Sequence, residues 1–323
     1  MFFMLFLEVN NISDKDWNKR LQSYPFGTIY QTKEIAEKGQ FQGEESLFLK
    51  FLDPNDVVVG QLMISIVSRF RKKNIRHWIL NKLPFERKKY YYWEYGPVIF
   101  DPNYTNEIKK ELFGFLKSQN CKVSGYEHPL SNRFFSDAEK PFHTRTWGTF
   151  LIDLTLSKDQ IWRNMDKNSV RKNIQRATKK GIYVKQMTKT DLFEYTKLLQ
   201  KTHKEIRFDL EIIKKQWDFL HPIGLTGFLA YENDIPVGGI LVPYFNKYMN
   251  EWGVARSEFN IEKRLYAQEL LKWKIIEFGI ENGCKYYDLS GVNPNPDNKK
   301  EEGIFRFKRK FGGVYKKYNY LIL

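Results

Sequence analysis

The chain has 323 residues, a length that predicts two domains of ordinary size. Hydrophobic residues make up 42% and aromatic residues 16%, enough for two buried cores, which excludes a disordered protein. No apolar run reaches the roughly 18 to 20 residues that span a bilayer. The formal net charge of +15 favours an anionic partner such as nucleic acid, a phosphorylated substrate or an anionic membrane; a solvated lysine-rich surface is the alternative.

The apolar opening of the chain is short, and it lacks the basic leader and cleavage site of a secretion signal. We interpret it as a first strand and expect the protein in the cytoplasm. Cys121 and Cys284 are the two cysteines, too few for a disulfide scaffold, and the five histidines are scattered. Because no ligand motif occurs, the sequence predicts no metal site.

One pattern of elements occurs twice: two strands joined by a turn, a long helix, and a cysteine and a lysine before a further strand. Gly60 and Gly238 mark the second strand of each copy, and Cys121 and Cys284 follow each helix. Such a repeat predicts a duplicated α/β domain. Hairpin, helix, strand is the core order of the N-acetyltransferase (GNAT) fold. The predicted fold is therefore two tandem GNAT-like domains, each a mixed twisted sheet flanked by helices, over 1–147 and 148–323, with a C-terminal tail free to return to the first domain.

The first copy is longer than the second. The glycines are 238 − 60 = 178 positions apart and the cysteines 284 − 121 = 163, so the first copy has about fifteen extra residues. They fall in the basic, aromatic stretch Arg69–Lys89. Mixed basic and apolar residues suit an interface with an anionic membrane, so we predict peripheral contact with the inner membrane surface through this stretch. Packing within the duplicated domain is the alternative.

The loop before the second long helix argues against a coenzyme. Acetyltransferases of this fold bind the coenzyme A pyrophosphate on the amides of a glycine-rich loop at a helix N-terminus. Here Ala255–Gln268 occupies that place and contains no glycine, so its side chains hinder close backbone approach. We therefore expect no cofactor.

Two basic segments are candidates for anion binding. Trp162–Gly181 is predicted as an amphipathic helix whose basic residues include Arg171 and Arg176, either a solvated face or a phosphate-binding one. Gly303–Gly313 mixes phenylalanines with cations and ends in a glycine pair, as expected of a segment lining an anionic channel. Its phenylalanines are equally compatible with a core position.

These segments resemble the Fem-type peptidoglycan-bridge aminoacyltransferases. The resemblance is carried, in chain order, by strings that span nearly the whole sequence: YQTKEIAEKG, YYYWEYGPVIFD, WRNMDKNSVRKNIQRATKKGIYV, YYDLSGV and GIFRFKRKFGG. No inserted helical hairpin fits in the second domain, so the chain resembles a compact FemX-like member. The resemblance implies transfer of an amino acid from aminoacyl-tRNA to the side-chain amine of a UDP-linked or lipid-linked peptidoglycan stem peptide.

The resemblance also implies roles for particular residues. Lys38 matches a lysine that contacts precursor phosphates, and Arg207 lies near an arginine element of the family, although KTHKEIRF departs from its usual spacing. Phe307 and Lys308 match a pair that faces the reacting ester. We expect Lys308 to stabilise the oxyanion, and the tRNA phosphates to be bound by a set of arginines: Arg171, Arg176 and Arg306.

Two other classes of function stay open on the sequence. One is a different N-acyltransferase that modifies a cell-surface polymer precursor or uses an acyl-coenzyme A. The other is a non-enzymatic protein that binds RNA or a membrane surface. The glycine-free loop disfavours coenzyme A, and a binding protein leaves the pair Phe307 and Lys308 without a role.

Overall fold

The computed structural model describes residues 4–67, 89–119, 121–131, 134–136 and 140–323. Two compact units divide the chain, one formed by residues 1–147 with 317–323 and the other by 148–316. The predicted membrane-contacting stretch, except for Lys89, lies outside the described residues. Among the helices that are described, none is both long enough and apolar enough to cross a membrane.

The first unit is a mixed sheet flanked by helices. Its strands are β1 (Phe6–Asn10), β2 (Glu45–Leu52), β3 (Val58–Val67), β4 (Tyr90–Trp93), β5 (Val98–Ile99), β6 (Lys122–Tyr126) and the end of β14 (Val314–Ile322). Its helices are α1 (Trp17–Ser23), α2 (Lys33–Phe41) and α3 (Thr105–Ser118). The strands follow the order β1-β2-β3-β4-β6-β14, and β5 pairs with β3.

The second unit is built in the same way. Its strands are β7 (His143–Asp153), β8 (Tyr183–Gln186), β9 (Leu225–Glu232), β10 (Ile235–Phe245), β11 (Tyr248–Asn250), β12 (Trp252–Arg256) and β13 (Tyr286–Asp288). Its helices are α4 (Lys158–Asn164), α5 (Lys172–Lys179), α6 (Leu192–Thr202), α7 (Leu210–Leu220), α8 (Glu258–Glu262), α9 (Ala267–Glu281) and α10 (Lys299–Arg309). The order is β8-β9-β10-β11-β13-β7, and β12 pairs with β10.

Strand directions agree between the units. Three antiparallel pairings lead in each case to one parallel pair, β4 with β6 and β11 with β13. An antiparallel strand then follows, β14 beside β6 and β7 beside β13. The predicted α/β class is confirmed, and the repeated order of elements read from the sequence occurs in both units.

Each sheet packs against its long helix through the glycine that marks the repeat. A methyl group added at Gly60 would lie 2.9 Å from the Ile108 side chain of α3. One added at Gly238 would lie 3.1 Å from the Leu271 side chain of α9. The two glycines therefore let helix and sheet approach closely, and each helix buries leucine and isoleucine side chains against the sheet.

The basic segment predicted as one helix over 162–181 is divided, so that prediction is wrong in its continuity. A capping box of Ser157 and Gln160, residue types that favour it in the sequence, opens α4. Met165 then adopts an extended conformation, and the Asp166 carboxylate accepts a hydrogen bond from the Ser169 amide at 2.7 Å. This second cap starts a new helical turn over 167–171 that continues into α5, because Asp favours a cap over a helix interior.

Candidate active site

The sheet of the second unit opens where its two parallel strands part. β11 and β13 stay paired through Asn250 and Asp288. Beyond that point β12 pairs with β10, whereas Val292 bridges to Gly148. Where the strands separate, their backbone N–H and C=O groups lose their partners and a gap opens that side chains or a ligand must fill. This parting point is therefore the candidate site.

Lys308 reaches the parting point from α10. Asn298 caps the N-terminus of this helix by accepting a hydrogen bond from the Glu301 amide, and Lys308 lies in the last turn. The half-buried ammonium donates to the carbonyl oxygens of Ser290 and Gly291, each at 3.1 Å. Burial lowers the pKa of Lys308 below the ordinary lysine value, because an apolar environment disfavours the charged form.

A buried ion pair lies beside Lys308. The Lys272 ammonium of α9 donates to the Glu251 carboxylate, and both side chains are 2% exposed. The Tyr287 hydroxyl donates to the same carboxylate at 2.6 Å. The Lys272 ammonium also lies 5.8 Å from the ring centroid of Phe307, so α9 and α10 meet through this cation.

Asp288 forms the other anionic group. It is fully buried at the end of β13. Its carboxylate accepts hydrogen bonds from the Tyr248 hydroxyl at 2.7 Å, the Asn250 amide at 3.2 Å and the Thr149 hydroxyl. Charged groups are seldom buried in this way without a role, since removing them from water is costly.

The cluster can stabilise negative charge but offers no obvious metal site. Across the part of the chain that the structure describes, no three His, Cys, Asp or Glu side chains are arranged to hold a metal ion. The Lys308 ammonium lies at the opening, whereas the Lys272 ammonium is engaged with the Glu251 carboxylate. A lysine in this position suits an oxyanion that develops during acyl transfer.

The residues before α9 do not fit the coenzyme A that GNAT folds hold. α8 lies in the segment that would wrap the pyrophosphate, and the long helix α9 begins after it, at Ala267. The first helical amide, that of Ala267, already donates to the Asn260 side chain at 3.2 Å. The Lys180 ammonium covers the loop by donating to the Lys263 and Arg264 carbonyls at 2.7 and 3.1 Å.

The predicted site residues fall into three groups. Phe307 and Lys308 join the cluster at the parting point. Arg176 is exposed, and its guanidinium lies 5.7 Å from the Tyr266 ring at the start of α9. The other predicted residues lie elsewhere: Arg171 half-buried in the turn before α5, Arg306 exposed on α10, Arg207 exposed between α6 and α7, and Lys38 on α2 of the first unit.

The sequence reasoning missed the anionic half of the cluster and its second lysine. Glu251, Lys272 and Asp288 were not singled out, although two signals were present. Asp288 lies within the otherwise apolar string YYDL. Lys272 lies in a helix whose other residues are apolar nearly all round. A charge in either place requires a buried partner.

Comparison with known proteins agrees with this geometry. Residues 229–319, which include both parting strands and α10, match the model of the FemAB family. No curated protein matches the sequence. Among solved structures, FemX has a TM-score of 0.69 at 14% identity, covering 98% of this chain and 97% of FemX.

Two further structures extend the likeness. L-PGS from Bacillus licheniformis has a TM-score of 0.56 at 12% identity, covering 98% of this chain and 93% of that protein. A tandem GNAT protein from the clavulanic acid biosynthesis pathway has a TM-score of 0.54 at 11% identity, covering 99% and 97%. At such identities these likenesses show the fold, and they confirm the predicted GNAT-like architecture.

Proposed function

We propose that this chain is a member of the FemAB family and transfers an amino acid from aminoacyl-tRNA to the side-chain amine of a peptidoglycan precursor's stem peptide. The observation that carries the proposal is Lys308. Its ammonium is held by two carbonyl oxygens at the parting of β11 and β13, inside the segment that matches the family. The resemblance read from the sequence assigns the same lysine to the reacting ester.

The reaction needs alignment and charge stabilisation rather than an enzyme nucleophile. The neutral acceptor amine attacks the ester carbonyl, a C–N bond forms, and the carbonyl oxygen becomes an oxyanion beside the Lys308 ammonium. As the ester C–O bond breaks, the ribose oxygen of the tRNA leaves with the electron pair and takes up the proton that the amine loses. Holding both substrates in contact supplies much of the rate.

Cationic side chains would hold the two anionic substrates. Arg171, Arg176 and Arg306 suit the tRNA phosphates, where contacts position the molecule without reading its sequence. Lys38 and Arg207 suit the phosphates of the precursor. We place the protein in the cytoplasm, with peripheral contact at the membrane face when the precursor is lipid-linked.

The rival functions have less support. An acyl-coenzyme A enzyme needs a pyrophosphate site, whereas here α8 and the Asn260 side chain occupy the helix start. Calorimetric titration should therefore detect no binding of acetyl-coenzyme A at micromolar concentration. A micromolar Kd corresponds to a binding free energy of about −8 kcal/mol. A protein that only binds RNA or membrane would not need a half-buried lysine beside a charged cluster.

The test is a transfer assay with purified protein. Radiolabelled aminoacyl-tRNAs are supplied one amino acid at a time, with a UDP-linked muramyl pentapeptide in one arm and its lipid-linked form in the other. We expect one class of charged tRNA to lose its label to one acceptor, which identifies both substrates. Label that stays on every tRNA with both acceptors, or micromolar binding of acetyl-coenzyme A, would refute the proposal.

A further inference from the structure

Ser290, whose carbonyl accepts a hydrogen bond from Lys308, has an unusual backbone conformation. Its φ is +60°, in the left-handed region that residues with side chains seldom adopt. Such a conformation persists where the surroundings enforce it, and it is frequent at functional sites. The Ser290 carbonyl produced by this conformation is one of the two that hold the Lys308 ammonium.

Hydrogen bonds fix Ser290 on every side. Its amide donates to the Asp288 carboxylate at 2.7 Å, and its hydroxyl donates to the Glu251 carbonyl at 2.9 Å. Its carbonyl accepts from the Lys308 ammonium and lies 3.0 Å from the Thr149 hydroxyl, whose single proton it shares with the Asp288 carboxylate. Donors and acceptors from β7, β13 and the end of β11 thus determine where that carbonyl points.

Asp288 is the member that joins these contacts. One of its oxygens, Oδ1, accepts hydrogen bonds from the Ser290 amide and the Thr149 hydroxyl. Its other oxygen, Oδ2, accepts from Tyr248 and Asn250 on β11. A single buried carboxylate therefore holds the end of β11, the end of β13 and the turn that follows in one arrangement.

We propose that Asp288 is a positioning residue for Lys308, because it fixes the turn of Ser290 and Gly291 whose carbonyl oxygens aim the ammonium at the parting point. This role rests on the proposed function of Lys308 at the reacting ester. Asp288 itself touches no substrate, since it is fully buried. Asp288 therefore acts on Lys308 in two ways: by fixing the turn of Ser290 and Gly291, and by its negative charge.

The charges that face Lys308 come from three elements. Burial has the largest effect and lowers the pKa of Lys308; Glu251 after β11 then raises it, Lys272 on α9 lowers it, and Asp288 on β13 raises it. Removing the Asp288 charge therefore lowers the pKa of Lys308 further. The titration therefore tests whether Asp288 acts on Lys308 through its charge, and turnover at unchanged acceptor KM tests whether it acts through the turn.

The variant is Asp288→Asn, with Glu302→Gln, an exposed carboxylate on the same helix as Lys308, as matched control. Turnover should fall about ten- to a hundred-fold, the scale of a small misplacement of a catalytic group, with acceptor KM changed by less than about two-fold. The alkaline limb of the turnover profile should move to lower pH. The control should match the wild type in all three respects.

A second measurement needs no substrate and keeps the inference separate from the proposed function. The full-length protein is labelled competitively with acetic anhydride across pH, and acetylation of Lys308 is followed by mass spectrometry. In Asp288→Asn, Lys308 should become reactive at lower pH than in the wild type and in Glu302→Gln.

If Asp288→Asn fails to fold, Tyr248→Phe, which removes one donor to Asp288, should lower turnover with acceptor KM unchanged. An unaltered Lys308 titration in folded Asp288→Asn, or unaltered turnover in Tyr248→Phe, would overturn the inference, whereas absent transfer in the wild type would refute only the proposed function.

Discussion

The two units part their parallel strands at the same place in the sheet but fill the opening differently. In the first unit the indole of Trp93 lies over Gly125, where an added methyl group would come within 1.9 Å of the ring. The indole N–H donates to the Gly96 carbonyl at 3.0 Å. In the second unit the corresponding opening holds charged groups: Glu251, Lys272, Asp288 and Lys308.

The difference separates a structural use of the fold from a chemical one. A tryptophan packed on a glycine fills the gap and satisfies its own polar atom, which stabilises the sheet. Buried charges in the same place give weak stability, because desolvation offsets their attraction. The first unit combines this packing with a buried carboxyl, Glu94, after Trp93, so the two lysines, Lys272 and Lys308, distinguish the charged cluster of the second unit, and we attribute them to function.

The largest expected effect comes from breaking the buried ion pair. Lys272→Met leaves the Glu251 carboxylate buried without its cation, and the free energy of unfolding should fall by about 3–5 kcal/mol. The double variant with Glu251→Gln should recover part of that loss, because no uncompensated charge remains. Chemical denaturation measures both. A single variant as stable as the wild type would show that the pair is solvated.

Lys308→Ala should lower turnover about a hundred- to a thousand-fold, the usual effect of losing one donor to an oxyanion. Acceptor KM should change much less, because the charge develops only in the transition state. Lys310→Ala, an exposed lysine two residues away, is the matched control and should have a small effect. Equal, mild losses in both variants would make Lys308 part of a general basic surface.

Gly125→Ala tests the structural opening in the first unit. The added methyl group collides with the Trp93 ring, and overpacking of this kind lowers stability by about 1–3 kcal/mol. Transfer per folded molecule should stay close to the wild-type value. Thermal unfolding measures the loss of stability, and turnover normalised to the folded fraction measures transfer. A large loss of turnover in the folded variant would mean that the first opening also takes part in chemistry.

Glu94 should give an effect on stability that depends on pH. Burial raises the pKa of this carboxyl to about 7, above its unfolded value, so the folded chain binds more protons between these pKa values. Stability should therefore be greatest below the unfolded pKa and fall as pH rises toward 7. Glu94→Gln should raise the melting temperature at pH 8 and leave it nearly unchanged at pH 4. An equal shift at both pH values would exclude this titration.

Much of the fold could be predicted because its signals are local. Strand alternation, the Ser157 capping box and the repeated glycine and cysteine landmarks each lie within a short stretch of sequence. Lys308 could be found because it lies in a distinctive basic and aromatic string. The Lys272 and Glu251 pair could not, since its members are 21 positions apart and meet only when α9 packs on the sheet.

The break in the basic segment was hidden for a different reason. Periodicity predicted one helix over 162–181, and the apolar residues do lie on one face on both sides of the break. The cap formed by Asp166 competes with the helix by bonding the Ser169 amide, and that competition is decided by local hydrogen bonds that periodicity does not report. Thr149 and Ser290 were missed similarly, because their roles depend on a turn that follows β13.

The central claim is that Lys308 meets the carbonyl oxygen of the aminoacyl ester at the parting of β11 and β13. A crystal structure with a stable aminoacyl-adenosine, in which an amide replaces the ester, tests it most directly. We predict the carbonyl oxygen of the analogue at about 2.7–3.1 Å from the Lys308 ammonium nitrogen, the distance of an oxyanion donor. An analogue bound in the second unit with its carbonyl directed away from Lys308, or bound in the first unit, would contradict the claim.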